Sequence, residues 1–274
     1  MSDLFTDIES LAARIGDGAK VALPPDYSGC ALAVVRALIQ RGVRDLHLVG
    51  VPSVGLQGDL LIGAGCVATL ETAAVTMDEF GPAPRFTAAV KAGTLRVIDG
   101  TCPAIHAGLQ AAEKGIPYMP VRGIVGSDLL AHRDDWMVGD NPFDADSGPL
   151  VLVKAIRPDV ALFHVPLADR FGNVWVGVRR EMMTMAHAAK TALVTFEERF
   201  DGNLLTDEAY AAGTIPGLYV GGLAEAKQGA WPVGLYGRYP ADAAHMADYV
   251  ALAKTDEGFA TYLDRFVTRS AAAE

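Results

Sequence analysis

The feature that most constrains this chain is a repeated alternation of short apolar runs with longer amphipathic stretches. Lys20–Leu23, 46–51, 95–98, Tyr118–Val121, 151–156, 160–165 and 192–196 read as strands, most of them nearly continuous in apolar residues. Residues 3–15, 29–41, Pro84–Ala92, 104–114 and 181–189 read as helices between them, and 241–253 and 256–266 as two more at the end. Gly42, Gly93 and Gly115 stand where those helices should stop. Residues 59–62 read as a short helix, and 66–70 and 73–77 as extended chain. Strand, helix, strand in this rhythm is the signature of βαβ units. It predicts an α/β fold with an open, mostly parallel sheet covered by helices on both faces. Apolar runs without polar alternation fit strands buried on both faces.

In such sheets ligands sit beyond the carboxyl ends of the strands. The loops after Leu23, Val51, Met77, Ile98 and Val121 are therefore expected on the functional edge. The 122–148 stretch is rich in Gly, Asp, Asn and Pro, and a loop that long inside a compact domain points to function or disorder. No composition shift or linker divides the 274 residues, so a single domain is expected, with a C-terminal subdomain from about residue 151 as the variant reading.

Bulk chemistry narrows the partners. The chain is 51% hydrophobic and carries a net charge of -10, with no basic cluster, which argues against nucleic acid and anionic membranes. No run approaches a membrane span, and the acidic start is unlike a secretory leader. Cys30, Cys66 and Cys102 are an odd, widely spaced set, a poor framework for disulfides and for a zinc site. A cytoplasmic, reduced, metal-free protein is expected. The chain has no Walker loop, GxSxG elbow or HExxH helix, and Pro24-Pro25-Asp26 follows the first strand where a dinucleotide-binding GxGxxG would stand.

Four short segments carry candidate chemistry. Met77-Asp78-Glu79-Phe80-Gly81 ends a strand with two adjacent carboxylates, which raise one another's pKa when brought close. A carboxylate is the nucleophile that acyl transfer between thioesters uses, yet Asp78 and Glu79 could equally cap the next helix. Cys102 precedes a helix whose N-terminus favours a thiolate, although a small apolar turn residue explains it as well. Gly126 and Ser127 lie in a glycine-flexed loop able to cradle a phosphate or thioester oxygen, or simply to form a capped turn. Tyr27 and Ser28 occupy the turn after the first strand. His106, His164 and His187 fall within regular elements, where core histidines are the ordinary reading. Leu56, Met77, Phe80 and Trp136 serve equally as pocket lining or core.

Segments 31–50, 60–70, 77–99, 106–130, Asp140-Asn141-Pro142-Phe143 and 166–178 together resemble the α-subunits of the glutaconate-type branch of family I coenzyme A transferases. The resemblance implies a fold of that type. It also implies a heteromeric acyl-CoA:carboxylate CoA transferase (αβ or α2β2), with coenzyme A entering as acyl-CoA. It places the catalytic glutamate on a β-type partner, where it forms a glutamyl-CoA thioester that carries CoA to the acceptor. This chain has no Ser-Glu-Asn-Gly-like or Glu-Ser-Gly-like segment. The implied role here is the acyl pocket, formed by Tyr27, Ser28, Met77, Asp78, Cys102, Gly126 and Ser127.

Two departures stand out. The family's Gly-Gly-Phe-like turn is replaced by Pro24-Pro25-Asp26, and prolines lack the N–H groups of an oxyanion hole. In a related ring-opening hydrolase branch, a glutamate resembling a catalytic base stands where this chain has Cys102. A hydrolase reading would then rest on Glu79 as base. A non-catalytic binding protein on the same fold is the third reading.

Overall fold

The computed structural model describes residues 4–268. Eight strands build its main sheet: β1 (Phe5–Thr6), β2 (Lys20–Leu23), β3 (Leu46–Gly50), β4 (Val67–Thr72), β5 (Arg96–Asp99), β6 (Val160–Asp169), β7 (Thr191–Phe200) and β8 (Val220–Glu225). They lie in the order β1-β8-β7-β6-β2-β3-β4-β5, and every neighbouring pair is parallel. The sheet is open and mostly parallel, as expected. Two short strands, Val174–Trp175 and Thr214–Ile215, extend it by antiparallel pairing beside β6.

The strand order explains where a ligand can sit. From β2 the chain steps outward through β3, β4 and β5, then returns to place β6 on the other flank of β2. The order therefore reverses between β2 and β6, the crevice where such sheets bind ligands. The pairing there is short, Val21 with Val160 and Ala22 with Ala161. Beyond it the two strands part, and the loop after β2 packs on β6 through the His164 N–H bond to the Gly29 carbonyl, 2.8 Å.

Alternation buries both faces. Val21, Leu23, Leu46, Leu48 and Leu162 point into one core, with α1 (Ile8–Ala12), α2 (Leu32–Arg41), α3 (Leu56–Gly63), α7 (Ala243–Leu252) and α8 (Asp256–Leu263). Ala22, Val49, Ala161, Phe163 and Val165 point into the other, under α5 (Cys102–Glu113) and α6 (Arg180–Ala188). α4 (Pro84–Ala92) packs on α3 at the first core's edge. Among the described residues no helix is long and apolar enough to cross a membrane.

Two local expectations are corrected and one strand is added. The opening helix is only Ile8–Ala12, because Asp7 caps it by accepting the Ser10 N–H (2.6 Å) and Phe5–Thr6 joins the sheet edge; Asp3 lies outside the described residues. Tyr118–Val121 is an edge strand of a separate antiparallel sheet with Leu150–Lys154 and Trp136–Gly139, a place that suits Pro120, which has no N–H for a central ladder. β8 is a strand that the sequence pattern does not announce, because Gly221 and Gly222 weaken the strand signal. A Cβ on Gly221 would collide with the Thr191 hydroxyl, and one on Gly222 would meet the end of the Leu11 side chain at 2.7 Å and have to displace it.

The 122–148 segment is tied down by one arginine. Arg133 is buried and its guanidinium reaches Glu71 (3.1 Å), Asp135 (2.8 Å) and the Asp99 carbonyl (2.9 Å), while stacking over Trp136 at 4.2 Å. Burial pushes the Glu71 carboxyl up, but His47, Lys20 and Arg133 override it and hold the pKa at about 2. A carboxyl depressed in this way stabilises the fold above its unfolded pKa, ~4.3, and loses that contribution as pH falls towards 2. Arg133→Met should cost about 1 to 3 kcal/mol at pH 7, because it takes one cation from a buried carboxylate that still keeps Lys20 at 2.9 Å. The deficit should shrink at pH 3, where the variant's Glu71, no longer held down by Arg133, takes up a proton. Urea unfolding at both pH values checks this, and a deficit independent of pH would contradict it.

Candidate active site

A cavity of about 540 Å³ opens at the carboxyl edge of the sheet beside the β2–β6 reversal. Three segments line it, together with Met246: the turn after β2 (Asp26, Tyr27), the turn Met77–Phe80, and the stretch 233–241. Its volume falls within the usual range for small-molecule sites.

Asp26 is the most unusual group in it. Pro24 and Pro25 direct the chain across the N-terminus of α3, where both Asp26 carboxyl oxygens accept the Leu56 N–H at 2.9 and 3.1 Å. Gly55 makes room, since a Cβ there would collide with the Asp26 carboxyl. Burial pushes the Asp26 pKa up to about 7. The Leu56 N–H and the Cys30 thiol pull it down, and the charges of Asp78 and Asp59 add to the rise. Near neutral pH this carboxyl both holds and releases a proton.

The Met77–Phe80 turn is tight. Asp78 has a left-handed backbone (φ 49°), and its N–H donates to the Thr76 hydroxyl at 3.0 Å. Met77 is buried while Asp78 and Glu79 face the cavity and are exposed or nearly so. The far wall is anchored by Tyr239, whose hydroxyl donates to Glu197 (2.8 Å) and accepts the Ala230 N–H (3.1 Å). Glu197 also accepts from His164 Nε2 (2.8 Å) and from the Gln228 and Gly229 N–H groups. The carboxylate can only accept, so His164 carries its proton on Nε2 and receives the Thr195 hydroxyl at Nδ1 (2.8 Å). Burial alone would raise Glu197, but His164 and Tyr239 hold it at about 2; burial lowers the His164 pKa against the opposing pull of Glu197. The network fixes the wall rather than offering a free base.

A second, smaller cavity adjoins the first, and Tyr27 lines both. His106, Gln110, Arg180 and Glu181 line the second. Ser28 is buried and donates its hydroxyl to Glu181. Burial pushes the Tyr27 hydroxyl pKa up, Glu181 adds to that, and Arg179 opposes it.

Of the residues singled out from sequence, Tyr27, Met77, Asp78 and Glu79 share the larger cavity, and Ser28 turns towards the smaller one. Cys102 is exposed at the start of α5, near enough to Tyr27 for a thiolate there to be felt by its hydroxyl. Gly126 and Ser127 lie on the exposed connection between the first two strands of the small sheet, outside the lining of both cavities, and the Ser127 hydroxyl accepts the Leu129 N–H at 3.2 Å. Sequence reasoning misses Asp26, Glu197 and the 233–241 wall. Of these only Asp26 leaves a trace in the sequence, as the acid directly after two prolines. Among the described residues no group of three or more His, Cys, Asp and Glu side chains is placed to hold a metal ion.

Comparison with known proteins gives this geometry a context. The sequence pattern described as Coenzyme A transferase matches residues 5–226. An uncharacterised protein of Archaeoglobus fulgidus is 30% identical over 94% of this chain, which spans 58% of that protein's length. A 3-oxoadipate CoA-transferase chain of Pseudomonas knackmussii is 29% identical, over 97% of this chain and 94% of its own. The crystal structure of glutaconate coenzyme A-transferase from Acidaminococcus fermentans superposes with a TM-score of 0.88 at 26% identity, covering 97% of this chain and 89% of the other. With a family pattern running from β1 past the end of β8 and the same fold around the same sheet edge, the chain belongs to the coenzyme A transferase family.

Proposed function

We propose that this chain is the α-type subunit of a heteromeric acyl-CoA:carboxylate CoA transferase, shaping the acyl pocket while a β-type partner supplies the nucleophilic glutamate. The observation that carries the reading is the cavity at the β2–β6 reversal, walled by Asp26, Tyr27, Asp78 and Tyr239. It is roomy enough for a short acyl chain, and it opens to solvent rather than closing around a complete catalytic set.

In that reaction the partner's carboxylate attacks the thioester carbonyl, and negative charge develops on its oxygen. Prolines 24 and 25 offer no N–H to that charge. Asp26, titrating near neutrality, can instead present an O–H from the same turn. Tyr27 and Ser28 shape the passage between the two cavities. Cys102, Gly126 and Ser127 remain on this reading at the outer edge of the assembled site, where a partner would approach. Coenzyme A enters as a substrate, and no step calls on a metal.

A second reading, hydrolysis of a CoA ester with Glu79 as general base, is favoured by one feature: Glu79 is exposed on the cavity wall, where water reaches it.

Two experiments test these readings. The chain co-expressed with its β-type partner should transfer CoA from acyl-CoA to a carboxylate and be trapped by borohydride as an enzyme–CoA thioester. The chain alone should be inactive, and robust turnover by it would refute the division of labour. Glu79→Gln should leave transfer within about threefold, whereas a general base would cost roughly 100-fold or more.

The state of Asp26 is read separately, from stability. Its folded pKa is raised, so its contribution is complete below the unfolded value of ~3.9 and is lost as pH rises to about 7. Asp26→Asn removes that loss. Relative to the natural chain, the variant should gain about 2 to 3 kcal/mol between pH 5 and pH 8 in urea unfolding. An equal difference at the two pH values would show that Asp26 is ionised throughout.

A further inference from the structure

Arg179 lies against two rings of the larger cavity's rim, although it does not itself line either cavity. Its guanidinium carbon lies 5.1 Å from the Tyr27 ring centre and 5.5 Å from that of Tyr236, and both rings line the larger cavity. Tyr27 and Tyr236 are 53% and 55% exposed, so two large rings are left at the surface on either side of one cation. Tyrosine faces attract guanidinium groups, and such stacking leaves the in-plane N–H edges free to donate.

Those donors are idle. Arg179 Nε is buried and has no hydrogen-bond partner among the described residues, and Arg179 forms no ion pair among them. Its neighbours differ. Arg180 donates to the Ala212 carbonyl at 2.9 Å, Arg238 pairs with Glu198 at 2.9 Å, and Arg133 is paired twice over. A buried, unpaired guanidinium N–H is costly to leave so, and its orientation is already fixed by the rings. Arg179 is also the N-cap of α6, a nine-residue helix with no side-chain cap, and the positive end of the helix adds to the local potential.

The acids nearby act against a loosely held anion. Glu181, which engages the Ser28 hydroxyl, and Asp78 both act on the Tyr27 hydroxyl. They repel diffuse negative charge while leaving the guanidinium fork able to take an oxyanion with two oxygens in its plane.

We infer that Arg179, held between Tyr27 and Tyr236, is a clamp for a single oxyanion at the cavity mouth and sets which anionic group may occupy it. Two sources share that chemistry: a carboxylate of a small organic acid, and a phosphate of the nucleotide portion of a thioester substrate. The clamp deepens the acyl-pocket reading and rests on it for its place in catalysis, but binding itself requires neither turnover nor a partner chain.

The test is calorimetric titration of the full chain at low salt with glutarate, with butyrate, and with adenosine 3′,5′-bisphosphate. Glutarate or the bisphosphate should bind, the one that does naming the source, and butyrate, which offers the same single carboxylate, should bind with glutarate if the source is the carboxylate. Arg179→Gln should weaken that ligand by about 10- to 100-fold, the span expected for a charge-assisted pair. Arg179→Lys keeps the charge without the planar fork and should recover only part of the affinity. Tyr236→Leu, which removes one face of the stack, should weaken binding less, and Lys114→Gln should leave it unchanged. Near-ultraviolet circular dichroism confirms that each variant is folded. Unaltered binding by Arg179→Gln, or no binding of either anion by the natural chain, would overturn the clamp. Clamp binding intact in an assembly that transfers no CoA would instead reject the transferase reading and leave the clamp standing.

Discussion

The reversal of strand order at β2 governs this molecule. Because β3, β4 and β5 leave on one side and β6, β7 and β8 on the other, the turn after β2 is the one place where neither flank continues the layer. All ten residues of β6 are buried, and beyond Ala161 the strand loses β2 as a partner. The Pro24–Gly29 turn fills that gap and is held against His164. The cavity exists because a packed sheet cannot close there, and each wall is a segment emerging from a strand end or crossing over one.

Burial acts on the acids near this edge in one direction, and hydrogen bonding decides whether it prevails. Glu71 and Glu197 lose water but gain several cationic or N–H and O–H donors apiece, so they stay ionised and serve as anchors. Asp26 gains one backbone N–H and a thiol, too little to offset its desolvation. The same physical penalty thus yields two rigid ties and one carboxyl poised to exchange a proton. The tie at Glu71 secures the 122–148 segment, and the tie at Glu197 secures the wall through Tyr239.

Much of this is legible from residue order. Lys20–Leu23 and Leu46–Gly50 are apolar runs with nothing to compete, and the glycines at 42 and 93 end their helices in the left-handed conformation that reading requires. The segments resembling coenzyme A transferases fall within the part of the chain where that family's pattern matches. What escapes depends on distant partners. Val220–Glu225 is a strand because it pairs with β7 and β1, and no local window contains those partners. Stretch 233–241 has no hydrophobic period, and becomes a cavity wall only through Glu197, some forty positions earlier. Arg179 looks like any surface arginine until Tyr27 and Tyr236 arrive from opposite ends of the chain.

Gly55 and Asp26 share one volume: the hydrogen on the glycine and the carboxyl oxygens cannot both be replaced by anything larger. Two positions 29 apart in sequence therefore carry a single degree of freedom. Diversity introduced at residue 55 alone can only evict the acid, whereas a smaller residue at 26 would open 55 to a side chain in the same stroke. A library that varies the two together can reach cavities of a different depth and polarity, and one that varies residue 55 alone finds only damage.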